Sequence, residues 1–346
     1  MPTKKEVHVH GEFDPKASTV INYHGLKTFS TCPLLFKEQL IDKTYVQSEK
    51  DYFIYGHIVD HILSGTPEKI DEEFVLVDRK ADPEKILSYK SKIKDLESKI
   101  YALREKAESG NKVAIKGIEK RKSDILDIKA KIDLCEAQGG KTQVTPAIWD
   151  SAHETARCMM EHSFYKKLDI VPGSTTQIEL IAGSRRGTAD YISFRDPIAQ
   201  QIWVLYLTNS ISHEELKAKL PEDASPIIVD FKTAFSIPKL EPMKYANQLW
   251  YYRSMLEELT GKRARCFALV GDKDPGMKMC QLYEFSDSTL EQCAQDMEIV
   301  EKAFWKTVKN GTWVSAKQFR GKDQQCFRCS ECSRSPFSVN DSAFIL

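Results

Sequence analysis

The sequence of 346 residues lacks a long hydrophobic run, a net charge and any repeated or low-complexity tract. Its longest uninterrupted apolar stretches, such as residues 202–207, are far shorter than the roughly 20 apolar residues of a membrane-spanning helix. The first residues contain no apolar leader segment. We therefore expect neither secretion nor membrane anchoring, and a cytoplasmic location.

The charge is balanced over the whole chain, with 50 Lys and Arg against 50 Asp and Glu, but it is uneven along it. Residues 84–136 carry 14 basic and 10 acidic side chains, so the rest of the chain is correspondingly acidic. An acidic remainder suits a metal site built from carboxylates. Phosphate is bound by local groups of Lys and Arg, so overall neutrality does not exclude a nucleic-acid partner.

Proline is absent between Pro83 and Pro146, and this interval has the clearest periodicity in the chain. Apolar residues recur at helical spacing in two runs, which predicts two helices with one apolar seam each. The seams are Ile86, Tyr89, Ile93, Leu96, Ile100 and Leu103, then Ile118, Ile125, Ile128, Ile132 and Cys135. With a turn at 108–111, they predict an inserted antiparallel coiled-coil hairpin over 84–140. Such a hairpin is either a solvated structural arm or an arm that contacts DNA or a partner.

The sequence on either side of the hairpin predicts a mixed α/β core. Helical periodicity marks residues 25–40, 55–63, 149–168, 243–259 and 288–309. Short β-branched and aromatic runs predict strands at 176–181, 188–194, 202–208, 227–232, 265–270 and 279–285. We divide the chain into an N-terminal helical part (1–83), the hairpin (84–140), the core (141–325) and a C-terminal tail (326–346).

Polar residues interrupt two of the predicted strands and follow them on a helix. Asp190 lies within an apolar strand, and a second apolar strand ends in Asp230 and Lys232, which share one face. A lone Asp-x-Lys is commonly an ion pair at a sheet edge. Two acids with one lysine leave an excess of negative charge that suits Mg²⁺ and phosphodiester hydrolysis. Gln248 and Tyr252, four apart on the next helix, are placed to contact such a group.

This pattern resembles the RecB-type branch of the PD-(D/E)xK nuclease superfamily, and within it phage RecE-like exonucleases. The resemblance depends on Gly56-His57, Glu179, Gly187-x-x-Asp190, Asp230-x-Lys232 and Gln248-x-x-x-Tyr252. The segment 26–36 also resembles the first helix of the AddB and CRISPR-associated iron–sulfur nucleases. The resemblance implies a restriction-endonuclease-like core, with a mixed central sheet flanked by helices, and a Mg²⁺ or Mn²⁺ ion.

The resemblance also implies a role for each matching residue. Asp190 and Asp230 would bind the metal with His57 beside it, and Lys232 would serve the attacking water. Gln248 and Tyr252 would complete the pocket, and Glu179 is either a further site residue or a solvent-facing strand carboxylate. Two departures stand out. About 40 residues separate the two aspartates, which predicts an added strand and loop over 195–226, and Asp replaces the commoner Glu at 230.

Nine cysteines are an odd number, and Cys326, Cys329 and Cys332 are packed within seven residues. This arrangement argues against a secreted disulfide framework and favours a metal. By similarity to the iron–sulfur nucleases, Cys32 would be the fourth ligand of a 4Fe–4S cluster. Zinc on the same four residues and a set of free thiols are the alternatives.

The resemblance implies a Mg²⁺-dependent exodeoxyribonuclease that processes DNA ends for recombination. Its partners would be DNA and a single-strand annealing recombinase, its location the cytoplasm of a bacterial host if it is phage-encoded, and a homo-oligomer is compatible with the sequence. One alternative is a single-strand DNA nuclease of the iron–sulfur CRISPR-associated type. The other is a non-catalytic DNA-binding or assembly protein on the same fold.

Overall fold

A computed structural model of the protein describes residues 14, 18–44, 51–77, 83–136, 142–235, 237, 243–274 and 279–316. The helices are α1 Tyr23–Thr31, α2 Pro33–Phe36, α3 Asp51–Leu63, α4 Glu68–Glu73, α5 Pro83–Glu108, α6 Lys112–Glu136, α7 Pro146–Glu161, α8 Pro197–Leu207, α9 His213–Lys219, α10 Met243–Thr260 and α11 Asp287–Asn310. The strands are β1 Ile21–Asn22, β2 Phe74–Leu76, β3 Thr142–Val144, β4 Thr176–Ala182, β5 Arg185–Phe194, β6 Pro226–Ala234, β7 Arg265–Asp272 and β8 Cys280–Phe285. A π-helical turn covers Lys37–Ile41 and a 3-10 turn covers Tyr165–Lys167. Within these residues, no helix is both long enough and apolar enough to cross a membrane.

The chain divides into two compact units. The first comprises Met1–Lys50, Ile62–Gly65 and Thr155–Leu346, and the second comprises Asp51–His61 and Thr66–Glu154. The helices α3 and α7 each contribute residues to both units. The boundaries that the sequence suggested at 83, 140 and 325 stay predictions.

A six-stranded mixed sheet forms the centre of the first unit. Its path runs β1-β5-β6-β7-β8, and β4 also pairs with β5. β5 is antiparallel to β4 and β6, whereas β6 and β7 are parallel and β7 and β8 are antiparallel. The strand β6 begins with a continuous buried apolar run over Ile227, Ile228 and Val229, as expected for a strand that is covered on both faces.

Helices cover both faces of this sheet. On one face α10 packs against β4 to β7, and its Leu249 and Met255 are fully buried. On the other face the end of α7 lies on β7, so close that a Cβ at Gly271 would fall 2.6 Å from Sδ of Met159. Glycine at this position therefore lets the helix approach the sheet. The prediction of a mixed α/β core, with a central sheet flanked by helices, is confirmed.

The predicted strand at 202–208 is wrong, because the segment belongs to the helix α8. The Asp196 carboxylate accepts a hydrogen bond from the Ala199 N–H at 2.7 Å, and a proline occupies the first turn. Ala199 and Trp203, four residues apart, are both fully buried. The insertion over 195–226, which we expected to add a strand and a loop, adds α8 and α9 instead.

The helix predicted over 25–40 is interrupted in the structure. α1 ends at Thr31, Cys32 has extended backbone angles, and Pro33 begins α2. Proline restricts the residue before it to extended conformations, so the Cys-Pro pair ends one helix and starts the next. Downstream, the Leu34 N–H donates to the carbonyl of Val314 at 2.9 Å, which fixes α2 against the segment that follows α11.

The second unit contains the predicted helix pair. α5 and α6 pack against each other, and a Cβ at Gly117 would lie 3.4 Å from Cδ1 of Leu103. Ile125 and Ile128, from the predicted seam of the second helix, are buried. The strands β2 and β3 flank the pair in sequence and run parallel to each other. The observed helix bounds leave the turn where the sequence predicts it, while the coiled-coil interpretation stays a prediction.

Candidate active site

The buried strand β6 ends in an acid and a cation. Asp230 is fully buried, and Lys232 lies two residues further along the strand. The two side chains project to the same side, and the Lys232 Nζ donates a hydrogen bond to Asp230 Oδ1 at 2.7 Å. Because the Lys232 side chain is 23% exposed, this cation lies between a buried acid and solvent.

Asp190 on β5 completes a group of three charged side chains. Its Oδ2 accepts a hydrogen bond from the Phe231 N–H at 2.8 Å and lies 3.8 Å from the Lys232 Nζ. The paired register of β5 and β6 reaches Tyr191 and Val229, and the Asp190 carboxylate binds the backbone N–H just beyond it. The structure therefore brings together two acids that are about 40 residues apart in sequence.

Burial and charge shift the protonation of this group in opposite ways. Burial, reinforced by the Asp190 carboxylate and opposed by Lys232, raises the pKa of Asp230 to about 7. Burial alone would lower the pKa of Lys232, but the carboxylates of Asp230 and Asp190 hold it above its usual value. Lys232 is thus an ammonium ion at neutral pH, and ionisation of both acids would leave one negative charge in excess.

The group fits a divalent cation at the level of its donor atoms. Asp230 Oδ2 is buried and has no hydrogen-bond partner among the described residues, which is a costly state for a carboxylate oxygen. Mg²⁺ prefers such oxygens, and it commonly takes one or two carboxylates together with water and substrate phosphate. The described part of the chain contains no cluster of three or more His, Cys, Asp and Glu placed to hold a metal. Among the described residues, the carboxylates of Asp190 and Asp230 are the candidate ligands for such a cation.

The helix α10 brings two further polar residues to the group. Gln248 Nε2 donates a hydrogen bond to the Tyr252 hydroxyl at 2.9 Å. Burial first, and then the charges of Asp230 and Asp190, raise the pKa of Tyr252 above its usual range, so the phenol keeps its proton. A Cβ at Gly187 would lie 2.8 Å from Cε1 of Tyr252. The glycine of the Gly-x-x-Asp motif therefore makes room for the tyrosine ring on β5.

Two tyrosines near the acids were not singled out from the sequence. Burial first, and then the charge of Asp230, raise the pKa of Tyr23 to about 12. Tyr245 also has a raised pKa, from burial and with Asp230 contributing. Tyr245 precedes Gln248 by three residues on α10, so helical spacing could have identified it. Tyr23 could not have been found in this way, because β1 and α1 reach the group through the pairing of β1 with β5.

Glu179 and His57 are the two remaining residues to which the resemblance gave a site role. The Glu179 side chain is 52% exposed and pairs with Arg186, whose Nη2 lies 2.6 Å from Glu179 Oε1. His57 is exposed on α3 and belongs to the second unit. Its neighbour His61, the other histidine considered as a metal ligand, has both ring nitrogens near hydrogen-bonding partners, Thr66 at 3.3 Å and a glutamate at 3.1 Å. The site roles of Glu179 and His57 stay predictions.

The three C-terminal cysteines, Cys326, Cys329 and Cys332, lie outside the described residues. Their predicted partner Cys32 is fully buried at the start of α2, where its sulfur accepts a hydrogen bond from the Leu35 N–H at 3.4 Å. Ala316, the last described residue, packs in the same small apolar cluster. The last described residue therefore lies beside Cys32, ten residues before Cys326 in the sequence.

Comparison with known proteins gives no matching family model and no matching curated relative. Among solved structures, a protein from Eubacterium rectale described as a "putative exonuclease" aligns with a TM-score of 0.53 over 96% of this chain and 97% of that chain, at 14% identity. A second structure, described as SSO0001, is 14% identical over 71% of this chain and 87% of that chain, with a TM-score of 0.22. The chain therefore shares the fold of the protein described as a "putative exonuclease", and at 14% identity the likeness shows the fold alone.

Proposed function

We propose that this protein is a nuclease that hydrolyses phosphodiester bonds in DNA with the help of Mg²⁺ or Mn²⁺. The active site comprises Asp190, Asp230 and Lys232. The observation that carries the proposal is the buried Asp230 Oδ2, which has no hydrogen-bond partner in the described structure although a second acid and a lysine lie beside it. A buried acid of this kind is a candidate for function rather than for stability.

The protonation states assign different tasks to the protein groups. With its pKa raised, Lys232 does not accept a proton near neutral pH. Its N–H groups can instead orient a water molecule or donate to a phosphate oxygen as charge develops there. Tyr252 accepts a hydrogen bond from Gln248 and keeps its own O–H for donation, so it orients whatever acceptor lies next to it.

Asp190 and Asp230 would hold the cation. When bound, a divalent cation makes a coordinated water more acidic and offsets the charge of the reacting phosphate. Asp190 is already fixed by the Phe231 N–H, which limits its rotation. Asp230 loses the proton that its raised pKa favours when it becomes a ligand, so cation binding and deprotonation are coupled.

The direct test is degradation of linear duplex DNA in the presence of Mg²⁺. We expect degradation by the wild type and a loss of rate of about 100-fold or more in Asp230→Asn and Lys232→Ala. Lys219→Ala is the matched control, because Lys219 is 49% exposed and pairs with Glu215 on the surface. If the wild type degrades no DNA, or if the two site variants match the control, the nuclease proposal fails.

We also propose an exonuclease mode, with DNA ends processed for recombination together with a single-strand annealing protein. The likeness of fold to a protein described as a "putative exonuclease" supports this mode. Linear and covalently closed circular duplexes of one sequence distinguish it from endonuclease action. Loss of the linear form alone supports an exonuclease, whereas nicking of the circle contradicts it.

The cysteines supply a second metal proposal, a 4Fe–4S cluster held by Cys32, Cys326, Cys329 and Cys332. The burial of Cys32 beside Ala316 supports it, because Ala316 precedes Cys326 by only ten residues in the sequence. Anaerobically purified protein should absorb near 400 nm, and Cys32→Ser should remove the band, while Cys266→Ser, another buried free cysteine, should leave it. Colourless wild-type protein that contains zinc would contradict the iron–sulfur proposal.

A further inference from the structure

The positive charge of the helix pair is concentrated at its turn. We define the distal half of the hairpin as residues 99–122, which comprise the end of α5, the turn and the start of α6. It carries eight basic residues and only three acidic ones, Glu105, Glu108 and Glu119. The remainder of 84–136 carries six basic and seven acidic residues. The excess of positive charge over 84–136 is therefore a property of the distal half alone.

We propose that the distal half of the hairpin binds the phosphate backbone of duplex DNA. Seven of its eight basic side chains are exposed, and the eighth, Arg121, is half-buried and donates to the Gly117 carbonyl at 2.8 Å. Lys99 pairs with Asp95 at 2.6 Å. In the part of the hairpin that the structure describes, no ion pair engages the other six. These charges are available to a polyanion.

Three of the lysines form a stripe along one face of α6. Lys112, Lys116 and Lys120 are exposed and follow at intervals of four residues. At a rise of 1.5 Å per residue the stripe is about 12 Å long, a length over which one DNA strand presents several phosphates. Like charges four residues apart destabilise a helix. A bound polyanion would offset this repulsion.

The side chains between the charges favour nucleic acid over an anionic membrane. Tyr101 is 75% exposed on α5, and Val113 and Ile115 are 81% and 39% exposed on α6, where a spacing of two residues puts them on different faces of the helix. These apolar groups stand singly among charges, whereas a membrane-surface helix presents a continuous apolar face. The choice of DNA as the polyanion rests on the proposed function, since a nuclease must hold this substrate.

The test is binding of the full-length protein to a fluorescent linear duplex in EDTA, by anisotropy at several salt concentrations. The distal variant is Lys112→Gln, Lys116→Gln and Lys120→Gln combined. The matched control replaces three exposed lysines outside the distal half, Lys92→Gln, Lys94→Gln and Lys129→Gln. We expect the distal variant to bind at least about tenfold more weakly and the slope of log K against log salt to shrink by about 3, with little change in the control.

A charge-retaining variant with arginine at the three distal positions separates charge from folding, and it should bind like the wild type. The proposal is overturned if the distal variant binds like the wild type, if distal and control variants weaken equally, or if the arginine variant weakens as much as the glutamine one. Because binding is measured in EDTA, the result is independent of cleavage. A protein that binds through the distal half but never degrades DNA would contradict the nuclease proposal and leave this inference standing.

Discussion

At Asp230, burial and charge act against each other. The carboxyl is fully buried, it lies beside a second acid, and one of its oxygens has no hydrogen-bond partner in the described structure. Lys232 offsets part of this cost by direct contact at 2.7 Å. Removing one partner of a buried ion pair leaves an uncompensated charge, which costs about 3 to 5 kcal/mol in other proteins. A cation bound at the free oxygen of Asp230 would therefore offset the remaining cost of burying this carboxylate.

Metal binding at this group should depend on pH. The pKa of Asp230 is raised to about 7 in the metal-free folded protein. Between the ordinary pKa of Asp and about pH 7, the folded protein therefore keeps a proton that the unfolded chain has lost. The stability contributed by that proton is complete below the ordinary pKa and declines as the pH rises through about 7. In the proposed site Mg²⁺ would compete with the proton for the Asp230 carboxylate, so Mg²⁺ should raise the melting temperature more at about pH 8 than at about pH 5.5.

Thermal melts with Mg²⁺ and with EDTA at the two pH values measure this effect. Asp230→Asn has no ionisable group at the position and should show little Mg²⁺ stabilisation at either pH. An equal Mg²⁺ effect at both pH values in the wild type, or an undiminished effect in Asp230→Asn, would show that the cation does not bind this carboxylate.

At the scale of elements, close contact between α10 and β5 depends on Gly187. A Cβ there would lie 2.8 Å from Cε1 of Tyr252 and 3.3 Å from Cε of Met255. Both neighbours belong to the helix that covers the sheet, and both are buried. The glycine thus leaves room for the Tyr252 ring at the place where its hydroxyl accepts a hydrogen bond from Gln248 and where the charges of Asp230 and Asp190 raise its pKa.

Gly187→Ala should displace Tyr252 and lower the rate of DNA degradation by about tenfold or more, because small misplacements at an active site are costly. The matched control is Gln295→Ala, at an exposed position on α11. This substitution disturbs no packing between α10 and β5, so the control should keep its activity and change the free energy of unfolding by less than about 0.5 kcal/mol. A Gly187→Ala enzyme as active as the control would refute the packing argument.

The cap of α8 gives a prediction about stability alone. Asp196→Ala removes the acceptor of the Ala199 N–H and should lower the free energy of unfolding by about 1 kcal/mol, as measured by urea titration. Asp127→Ala, at an exposed position inside α6, is the control and should change it by less than about 0.5 kcal/mol. Equal effects of the two substitutions would mean that the cap does not stabilise the folded protein.

Local signals predicted those elements whose periodicity or terminal residues are distinctive. The helix pair is marked by its seams and by Ser109 and Gly110 at the turn, and α10 by its length. The run 202–207 was wrongly predicted as a strand, because a short apolar stretch fits either a strand or a buried helix. The helix cap at Asp196, followed by Pro197, is the local signal that would have predicted α8. The shared face of Asp230 and Lys232 could be predicted from their spacing of two residues. The position of Tyr23 near them depends on the long-range pairing of β1 with β5, which no local pattern predicts.

At the scale of the whole molecule, two features of different kinds serve one substrate in this proposal. The first unit presents a buried acidic group at the end of β6, and the second unit presents a basic surface at the turn of the hairpin. The two acids would hold the cation that promotes hydrolysis, and the lysines that neutralise phosphates would supply affinity for DNA. Substitutions at the acids should therefore lower the rate of hydrolysis, and substitutions at the lysines should weaken DNA binding.

The most direct measurement is the single-turnover rate of hydrolysis of linear duplex DNA with saturating Mg²⁺, compared between the wild type and Asp230→Asn. We expect the variant to bind the duplex as well as the wild type and to hydrolyse it at least about 100-fold more slowly. Hydrolysis by Asp230→Asn at the wild-type rate would contradict the assignment of Asp190, Asp230 and Lys232 as the active site.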